Sequence, residues 1–314
     1  MDSACAKQPG MSGSERALVQ PISDDPRGQI VATTGRRIFA GGLEWHVEEA
    51  GSGPVMLLLH GTGSTAHSWR DLAPWLAAQF RVVVPDLPGH GRTSSPEFAG
   101  FALPAMAAAL ADLLSAIDAP PALVVGHSAG AAILVRMALD GRICPRALIS
   151  VNGALLPFNG IARFLFAPLA RLLARNSVVP RWVASRAADP VAVERLIADT
   201  GSRLDATGIE LYGQWARCPR HVSAALSMMA NWDLQTLVAD LPRLEVPLKL
   251  LVASGDRTIP PSQAQAVRTL LPSARIIALG DLGHLAHEER PLKVSDIIFR
   301  VAREAGVLRQ ESSR

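Results

Sequence analysis

The amino-acid sequence predicts an α/β fold, built on a mostly parallel, doubly wound sheet that carries a helical lid insertion. Three observations lead to this prediction. Short apolar runs recur along the 314-residue chain, helical stretches separate most of them, and one long interval shows helical pattern without any strand-like run. Strands and helices that alternate at short intervals are typical of right-handed βαβ units in a doubly wound sheet.

The apolar runs indicate strands that are covered on both faces, because they contain no alternating polar side. An alternating stretch at 42–50, which ends in a Gly/Pro turn, predicts one further strand before them. The covered runs are 55–60, 81–86, 122–128, 146–153, 247–256 and 274–280. They predict the parallel centre of the sheet.

The helical stretches lie between these runs, at 68–78, 103–117, 129–140 and 292–305. Pro104 suits the first turn of its helix, and Gly141 suits the residue just after the end of the third.

The alternation breaks at 157–243, which we interpret as a lid over the carboxyl edge of the sheet, where ligands bind in open α/β folds. The core of the fold is then formed by residues 37–156 and 244–308. Residues 1–36 are rich in Ser, Asp, Gly and Pro and predict a disordered lead-in, and residues 309–314 predict a flexible tail.

Composition excludes several classes of protein. A net charge of +3 without a basic, aromatic-rich run argues against nucleic-acid binding. No uninterrupted apolar stretch is long enough to cross a membrane, and the first 35 residues lack the apolar centre of a signal peptide. The three cysteines lack framework or zinc-site spacing. We therefore expect no metal, no cofactor and a cytoplasmic protein.

The sequence Gly-His-Ser-Ala-Gly at 126–130 places Ser128 between a buried strand and a helix. This strand-turn-helix is the context that a nucleophile elbow requires, and its glycines permit a turn that would otherwise be too crowded. The alternative is a plain glycine-rich turn that contains an incidental serine. The pattern predicts that Ser128 is a catalytic nucleophile.

Acyl transfer needs two backbone N–H groups that point at the developing oxyanion. We expect Ala129, the residue after the nucleophile, to supply one, and Thr62 in the His-Gly-Thr-Gly loop at 60–63 to supply the other. A simple tight turn is the alternative for that loop.

The partners of the serine should follow it in the order acid, then histidine. Asp256 ends a buried strand run, and His284 follows the next one, directly after Gly283. We expect Asp256 to orient His284 and His284 to be the general base. The alternatives are a surface turn for Asp256 and His287 as the base.

Four residues are candidates for substrate binding. His67 follows the loop at 60–63, which we call the oxyanion loop, and His127 lies within the elbow. Met228 and Trp232 offer a flexible thioether and an aromatic ring, which suit an adaptable apolar pocket. Plain packing would explain Met228 and Trp232 as well, and a structural hydrogen bond would explain His127.

The lid segment at 161–183 sets arginines among apolar residues, and no acidic residue occurs from 158 to 188. Such a segment can lie on a membrane surface or hold an acidic, apolar ligand. The alternative is a lid helix whose arginine stems extend outward to solvent. The arginines are Arg163, Arg171, Arg175 and Arg181.

These motifs, with DLPGHGRT at 86–93, SGDRTIP at 254–260 and GHLAHEERP at 283–291, resemble the α/β-hydrolase superfamily over residues 38–306. Within it, LLLHGTGSTAHSWRDLAPWL, NGALLPF, GSRLDATGIELY and MMANWDL resemble the BchO-type magnesium-chelatase accessory proteins, which are encoded with bacteriochlorophyll biosynthesis genes. The resemblance implies a Ser128–Asp256–His284 triad. Epoxide hydrolases and haloalkane dehalogenases differ, since they use an aspartate where this chain has Ser128.

The resemblance implies a setting in magnesium-porphyrin synthesis, with the protein either free in the cytoplasm or peripheral to the inner or photosynthetic membrane. It leaves two functions open. One is a serine hydrolase that acts on an ester or thioester of a small apolar substrate, for which a tetrapyrrole such as a magnesium porphyrin is a candidate. The other is a non-catalytic accessory protein that binds a porphyrin or assists a chelatase complex.

Overall fold

The fold is described from a computed structural model, which covers residues 34–157, 178–187 and 189–310. Its centre is an eight-stranded sheet with the strand order β1-β2-β4-β3-β5-β6-β7-β8. Only β2 runs against the other strands. The strands are Thr34–Ala40 (β1), Leu43–Ala50 (β2), Val55–Leu59 (β3), Arg81–Pro85 (β4), Leu123–His127 (β5), Ala147–Val151 (β6), Leu248–Ala253 (β7) and Arg275–Gly280 (β8). The predicted mostly parallel α/β sheet is confirmed.

Strand β1 corrects one boundary. The sequence assigned residues 34–36 to the lead-in, but they begin a strand that pairs with β2 along its whole length. Most of its side chains are exposed, because it is the edge strand of the sheet. An exposed edge strand has no apolar face, so the pattern of apolar residues could not reveal it. The remaining lead-in, 1–33, and residues 311–314 lie outside the described residues.

Two apolar layers cover the sheet. The helices Ala73–Leu76 (α1) and Pro291–Glu304 (α11) contribute to one layer, with Trp69 and Phe80 fully buried among them. The helices Leu103–Ala116 (α2) and Ala129–Leu139 (α3) contribute to the other. With every central strand covered on both faces, burial of apolar surface holds the carboxyl ends of the strands in fixed positions.

Between β6 and β7, the described residues 178–187 and 189–247 form helices joined by loops, and no strand occurs among them. We call this interval the insertion. Its helices are Val178–Arg186 (α4), Pro190–Asp199 (α5), Ala206–Ala216 (α6), Pro219–Asn231 (α7) and Gln235–Asp240 (α8). Proline begins α5 and α7, and the side chain of Asp205 caps α6 by accepting the N–H of Gly208 at 2.7 Å. Residues 158–177 lie outside the described part.

The remaining helices are Ser262–Leu270 (α9) and Ala286–Glu289 (α10). The loop 281–285, which contains His284, joins β8 to α10. None of the helices within the described ranges is long and apolar enough to cross a membrane.

Candidate active site

Ser128 lies in the turn between β5 and α3, as the elbow motif predicts. Its backbone has φ 51° and ψ −120°, a left-handed conformation that a side chain other than glycine rarely adopts. The surrounding structure holds this turn through three backbone hydrogen bonds: Ser128 donates to Val151 at 3.1 Å, and its carbonyl accepts from Ala131 at 3.2 Å and Ala154 at 3.0 Å. A strained residue that is held this firmly is typical of a functional position.

The glycines on either side of Ser128 leave no room for a side chain. A Cβ atom on Gly130 would lie 2.3 Å from the carbonyl oxygen of Leu59, and one on Gly126 would lie 2.5 Å from backbone atoms of Ala131. A Cβ on Gly61 would lie 2.9 Å from the Cβ of Ser128. The oxyanion loop therefore passes directly beside the serine.

The backbone N–H groups of Thr62 and Ala129 donate no hydrogen bond to any described residue. His60 holds the loop that carries Thr62: its Nδ1–H donates to the Gly61 carbonyl at 2.8 Å, and its Nε2 accepts the N–H of Leu87 at 2.9 Å. The Thr62 hydroxyl donates to the sulfur of Met228 in α7 at 3.3 Å. These N–H groups are available to an oxyanion, and their role as its donors stays a prediction.

His284 and Asp256 come together in a direct hydrogen bond, in which His284 Nδ1 lies 2.8 Å from Asp256 Oδ2. The other carboxylate oxygen of Asp256 accepts the N–H groups of Thr258 at 2.8 Å and Ile259 at 2.9 Å. Both side chains are almost completely buried. This pairing holds the imidazole with Nε2 free, which is the arrangement that a general base needs.

Ser128, Asp256 and His284 all follow the carboxyl ends of parallel strands, at one edge of the sheet. The ring of His127, the neighbour of Ser128, lies 4.6 Å from the ring of His284. The hydrogen bonds among the described residues do not include one between Ser128 and His284. Such bonds are often long without substrate, and this geometry is compatible with a triad.

The loop of His284 is held by residues that the sequence analysis did not single out. Asn152, after β6, donates its amide to the carbonyls of Gly283 and His284, both at 3.0 Å, and accepts the N–H of Ala253 at 2.9 Å. Ser202 of the insertion accepts the N–H of Leu285 at 2.8 Å. Asn152 has φ 45°, and an asparagine directly after a buried strand was the only signal available in the sequence.

His127 and His287 lie beneath this loop. His127 is buried and donates its Nε2–H to the carbonyl of His284 at 3.0 Å, which suits a residue that supports the loop. His287 is fully buried, with its ring 4.4 Å from that of Trp69, and neither of its nitrogens forms a hydrogen bond to a described residue. Burial lowers the pKa of His287 to about 3 and that of His127 well below its usual range. His287 is thus poorly placed to exchange protons with a substrate.

Of the other candidates for substrate binding, Met228 and His67 lie near the loop that carries Thr62. Met228 is fully buried against Thr62, and Trp232 is partly buried against the core. His67 packs edge-on against Tyr212, with ring centroids 4.7 Å apart, and burial lowers its pKa to about 3. Contact of these residues with a substrate stays a prediction. Within the described ranges, no group of side chains could hold a metal ion.

Of the four lid arginines, only Arg181 lies in the described part of the insertion. It is exposed on α4 beside Trp182, whose side chain is 58% exposed. The guanidinium of Arg186 lies 5.4 Å from the centre of the Trp182 ring. Arg163, Arg171 and Arg175 lie outside the described residues.

The chain matches the model of the alpha/beta hydrolase family over residues 56–297. It is 40% identical to the magnesium-chelatase 30 kDa subunit of Rhodobacter capsulatus over 259 residues, which cover 82% of this chain and 89% of that protein. It is 28% identical to the pimeloyl-[acyl-carrier protein] methyl ester esterase of Aromatoleum aromaticum over 261 residues, which cover 78% and 98% of the two chains.

Among solved structures, a thermophilic esterase from Thermogutta terrifontis is similar, with a TM-score of 0.69 and 26% identity. The similarity covers 87% of this chain and 99% of that one.

Proposed function

The chain belongs to the alpha/beta hydrolase family, and on that premise we propose that it is a serine hydrolase. Its substrate is an ester or thioester that carries an apolar acyl group or a tetrapyrrole. The hydrolysis belongs to the magnesium-chelatase step of bacteriochlorophyll synthesis. The observation that carries the proposal is the 2.8 Å bond between His284 and Asp256, at the same sheet edge as the strained Ser128.

In the first step, the Ser128 hydroxyl oxygen attacks the substrate carbonyl while His284 Nε2 takes its proton. The negative charge on the carbonyl oxygen is stabilised by the N–H groups of Thr62 and Ala129. Asp256 stabilises the imidazolium that forms. Collapse of the tetrahedral intermediate breaks the bond to the alcohol or thiol, which leaves with the proton from His284.

In the second step, water attacks the acyl group on Ser128 and passes its proton to His284. The acid is released, and the proton returns to the serine oxygen. The buried surroundings strengthen these electrostatic interactions, since few water molecules screen them.

Two relatives support the two halves of the proposal. The esterase of Aromatoleum aromaticum is named for the hydrolysis of a methyl ester, and the Rhodobacter capsulatus protein is named as a chelatase subunit. The second name also supports an alternative, in which the chain binds a porphyrin within a chelatase complex and catalyses nothing.

Covalent labelling tests the chemistry. A fluorophosphonate should form one adduct, on Ser128, and mass spectrometry of the digested protein should locate it there. Ser128→Ala should abolish labelling, whereas Ser273→Ala, at an exposed serine, should leave it unchanged. Folded protein that forms no adduct, or forms it elsewhere, contradicts the proposal.

The alternative is tested by complementation in a phototroph that lacks the protein. Loss of bacteriochlorophyll with Ser128→Ala supports hydrolysis, and full pigment supports a binding role. Hydrogen exchange with and without a magnesium porphyrin tests binding of the porphyrin independently of pigment synthesis. Protection should appear in the insertion and around Thr62 and Ser128. Protection confined to the opposite ends of the strands, as in the loops at 117–122 and 140–146 that precede β5 and β6, would contradict the proposed pocket.

Peripheral membrane contact through the insertion belongs to the same proposal. Arg181, Arg186 and the exposed Trp182 present charge and an aromatic ring together, a combination suited to an anionic lipid surface. Each arginine near such a surface contributes about 1 kcal/mol. Flotation should recover more protein on anionic than on neutral liposomes, and high salt should remove the difference. Equal recovery on both lipids excludes this contact.

A further inference from the structure

Tyr212 of α6 joins the insertion to the two loops of the candidate active site. Its hydroxyl donates to Glu288 Oε1 at 2.7 Å and lies 3.2 Å from the hydroxyl oxygen of Ser64. Ser64 follows Thr62 by two residues, directly after the oxyanion loop, and Glu288 follows His284 by four. A single side chain of the insertion thus contacts both the loop of the oxyanion donor and the loop of the base.

Arg70 makes a second connection between the same parts. Its guanidinium lies 3.2 Å from Glu288 and 3.2 Å from Asp205, the residue that caps α6. Asp71 also pairs with it at 2.9 Å. Because Arg70 is only 20% exposed and Glu288 is 1% exposed at the side chain, solvent weakens their interaction less than it would on the surface.

A third connection is apolar. Leu285, next to His284, is buried in a small cluster with Val193 and Ile197 of α5, and Tyr212 packs against that cluster. Displacement of α5 and α6 from the core would therefore expose Leu285 and break the bonds of Tyr212 together.

We propose that Tyr212 is a positioning residue, which couples the placement of the insertion to the alignment of the oxyanion loop and of the segment 282–289 that carries His284, which we call the base loop. This inference rests on the proposed hydrolase function. When the insertion is seated, the Tyr212 hydroxyl holds Ser64 and Glu288 at the separation that catalysis requires. When the insertion moves to admit substrate or release product, both loops lose this contact at once.

The electrostatics of Glu288 are consistent with a contact of this kind. Burial raises the pKa of Glu288 to about 8, although the hydrogen bond from Tyr212 and the charge of Arg70 oppose the shift. Groups that face this carboxyl are Tyr212 from α6, Arg70 with its neighbour Asp71, and His287 on its own helix at 3.9 Å. A buried acid of this kind depends on its neighbours for hydrogen bonds, so removal of the Tyr212 hydroxyl is felt directly.

Hydrogen exchange tests the coupling without any need for catalysis. Tyr212→Phe removes only the hydroxyl and should increase exchange in residues 61–65 and 282–289 together. Glu210→Gln is the matched control. Glu210 lies on the same helix, and among the described residues its carboxylate pairs with Arg217 alone, at the surface. Faster exchange in one loop alone, or in neither, overturns the inference.

The single tyrosine of the chain permits a spectroscopic test as well. Incorporation of [13Cζ]tyrosine yields one resonance, which reports on Tyr212 alone. Glu288→Gln and Ser64→Ala should each shift it, and so should a fluorophosphonate adduct on Ser128; Glu210→Gln should not. Glu288→Gln and Ser64→Ala keep the test valid if Tyr212→Phe does not fold.

The outcomes of labelling distinguish the two proposals. Folded protein without any adduct on Ser128 contradicts the hydrolase function, and the exchange experiment then still decides the coupling. An adduct that leaves the tyrosine resonance unchanged overturns the coupling alone.

In a hydrolase assay, Tyr212→Phe should lower kcat by about 10-fold with little change in KM, since interactions that orient catalytic groups act mainly on the chemical step. Wild-type kcat in this variant overturns the inference.

Discussion

The nucleophile elbow and the base loop lie at the same edge of the sheet, but they are held in different ways. Ser128 is placed by its own strand, turn and helix, with glycines that let neighbouring backbone approach. His284 is placed by residues far away in the chain: Asp256 after β7, Asn152 after β6 and Ser202 of the insertion.

This difference teaches which part of the site is rigid and which can respond. The elbow packs against β3 and β5 in the centre of the sheet, where movement would break many contacts at once. The base loop depends partly on the insertion, because Thr200 and Ser202 bond to residues 284 and 285. Movement of the insertion can therefore shift His284 without shifting Ser128.

The largest effect is expected when the side chain of Ser128 or His284 is removed. Ser128→Ala and His284→Ala should each lower kcat by about 10⁴-fold or more, to similar residual rates, because triad members act as a unit. His287→Phe keeps an aromatic ring against Trp69 and should retain kcat within about 3-fold, since the proposal assigns proton transfer to His284. Steady-state hydrolysis of an activated ester measures all three. An inactive His287→Phe with active His284→Ala would show that the base is misassigned.

Acid should destabilise the protein through its buried histidines. Burial lowers the pKa of His67 to about 3, of His90 to about 4 and of His287 to about 3. Because these folded pKa values lie below the unfolded value near 6.5, the stability is complete above pH 6.5 and is lost as pH falls towards 3. Each histidine contributes about 1.4 kcal/mol per pH unit in that window. Urea unfolding from pH 7.5 to 5 should show this slope, and a smaller one in His287→Phe; equal slopes would contradict it.

Alanine substitutions of Gly130 and Gly283 compare the two regions directly, since each added Cβ would lie 2.3 Å from backbone. Gly130 faces Leu59 of β3, so Gly130→Ala should lower the free energy of unfolding by about 3 kcal/mol. Gly283 faces Gly201 of the insertion, which can yield, so Gly283→Ala should lose less stability but most of its activity. Gly141→Ala is the control, because Gly141 has φ +67° and open space; about 1 kcal/mol is expected. Equal losses of stability at 130 and 283 would remove the distinction.

The smallest effect concerns support of the base loop. Asn152→Asp replaces an amide donor with a carboxylate that faces the carbonyls of Gly283 and His284, and kcat should fall about 10- to 100-fold. Asn231→Asp is the matched control, since its amide donates only to Ser227 within α7. Circular dichroism should show both variants folded. Unchanged kcat in Asn152→Asp would mean that the base loop does not need this support.

The fold could be predicted from local pattern because the central strands are buried on both faces. Runs such as 55–60 and 122–128 contain no polar side, and only a covered parallel strand explains them. Strand β1 escaped prediction because an edge strand with exposed side chains lacks that pattern. The membership of the α/β-hydrolase family was likewise evident from contiguous motifs, and the comparisons confirm it.

The sequence by itself determined the elbow of Ser128, since the strand, the glycines and the helix that form this turn lie within a few positions of it, and the backbone bonds to Val151 and Ala154 only add support. Only the tertiary structure decided how His284 is held and what Tyr212 contacts. Asn152, Ser202 and Glu288 are separated from their partners by 76 to 132 residues, and hydrogen bonds across such distances leave no periodic trace in the chain. They form because parallel strands bring their carboxyl ends to one edge, where the insertion then packs against the loops.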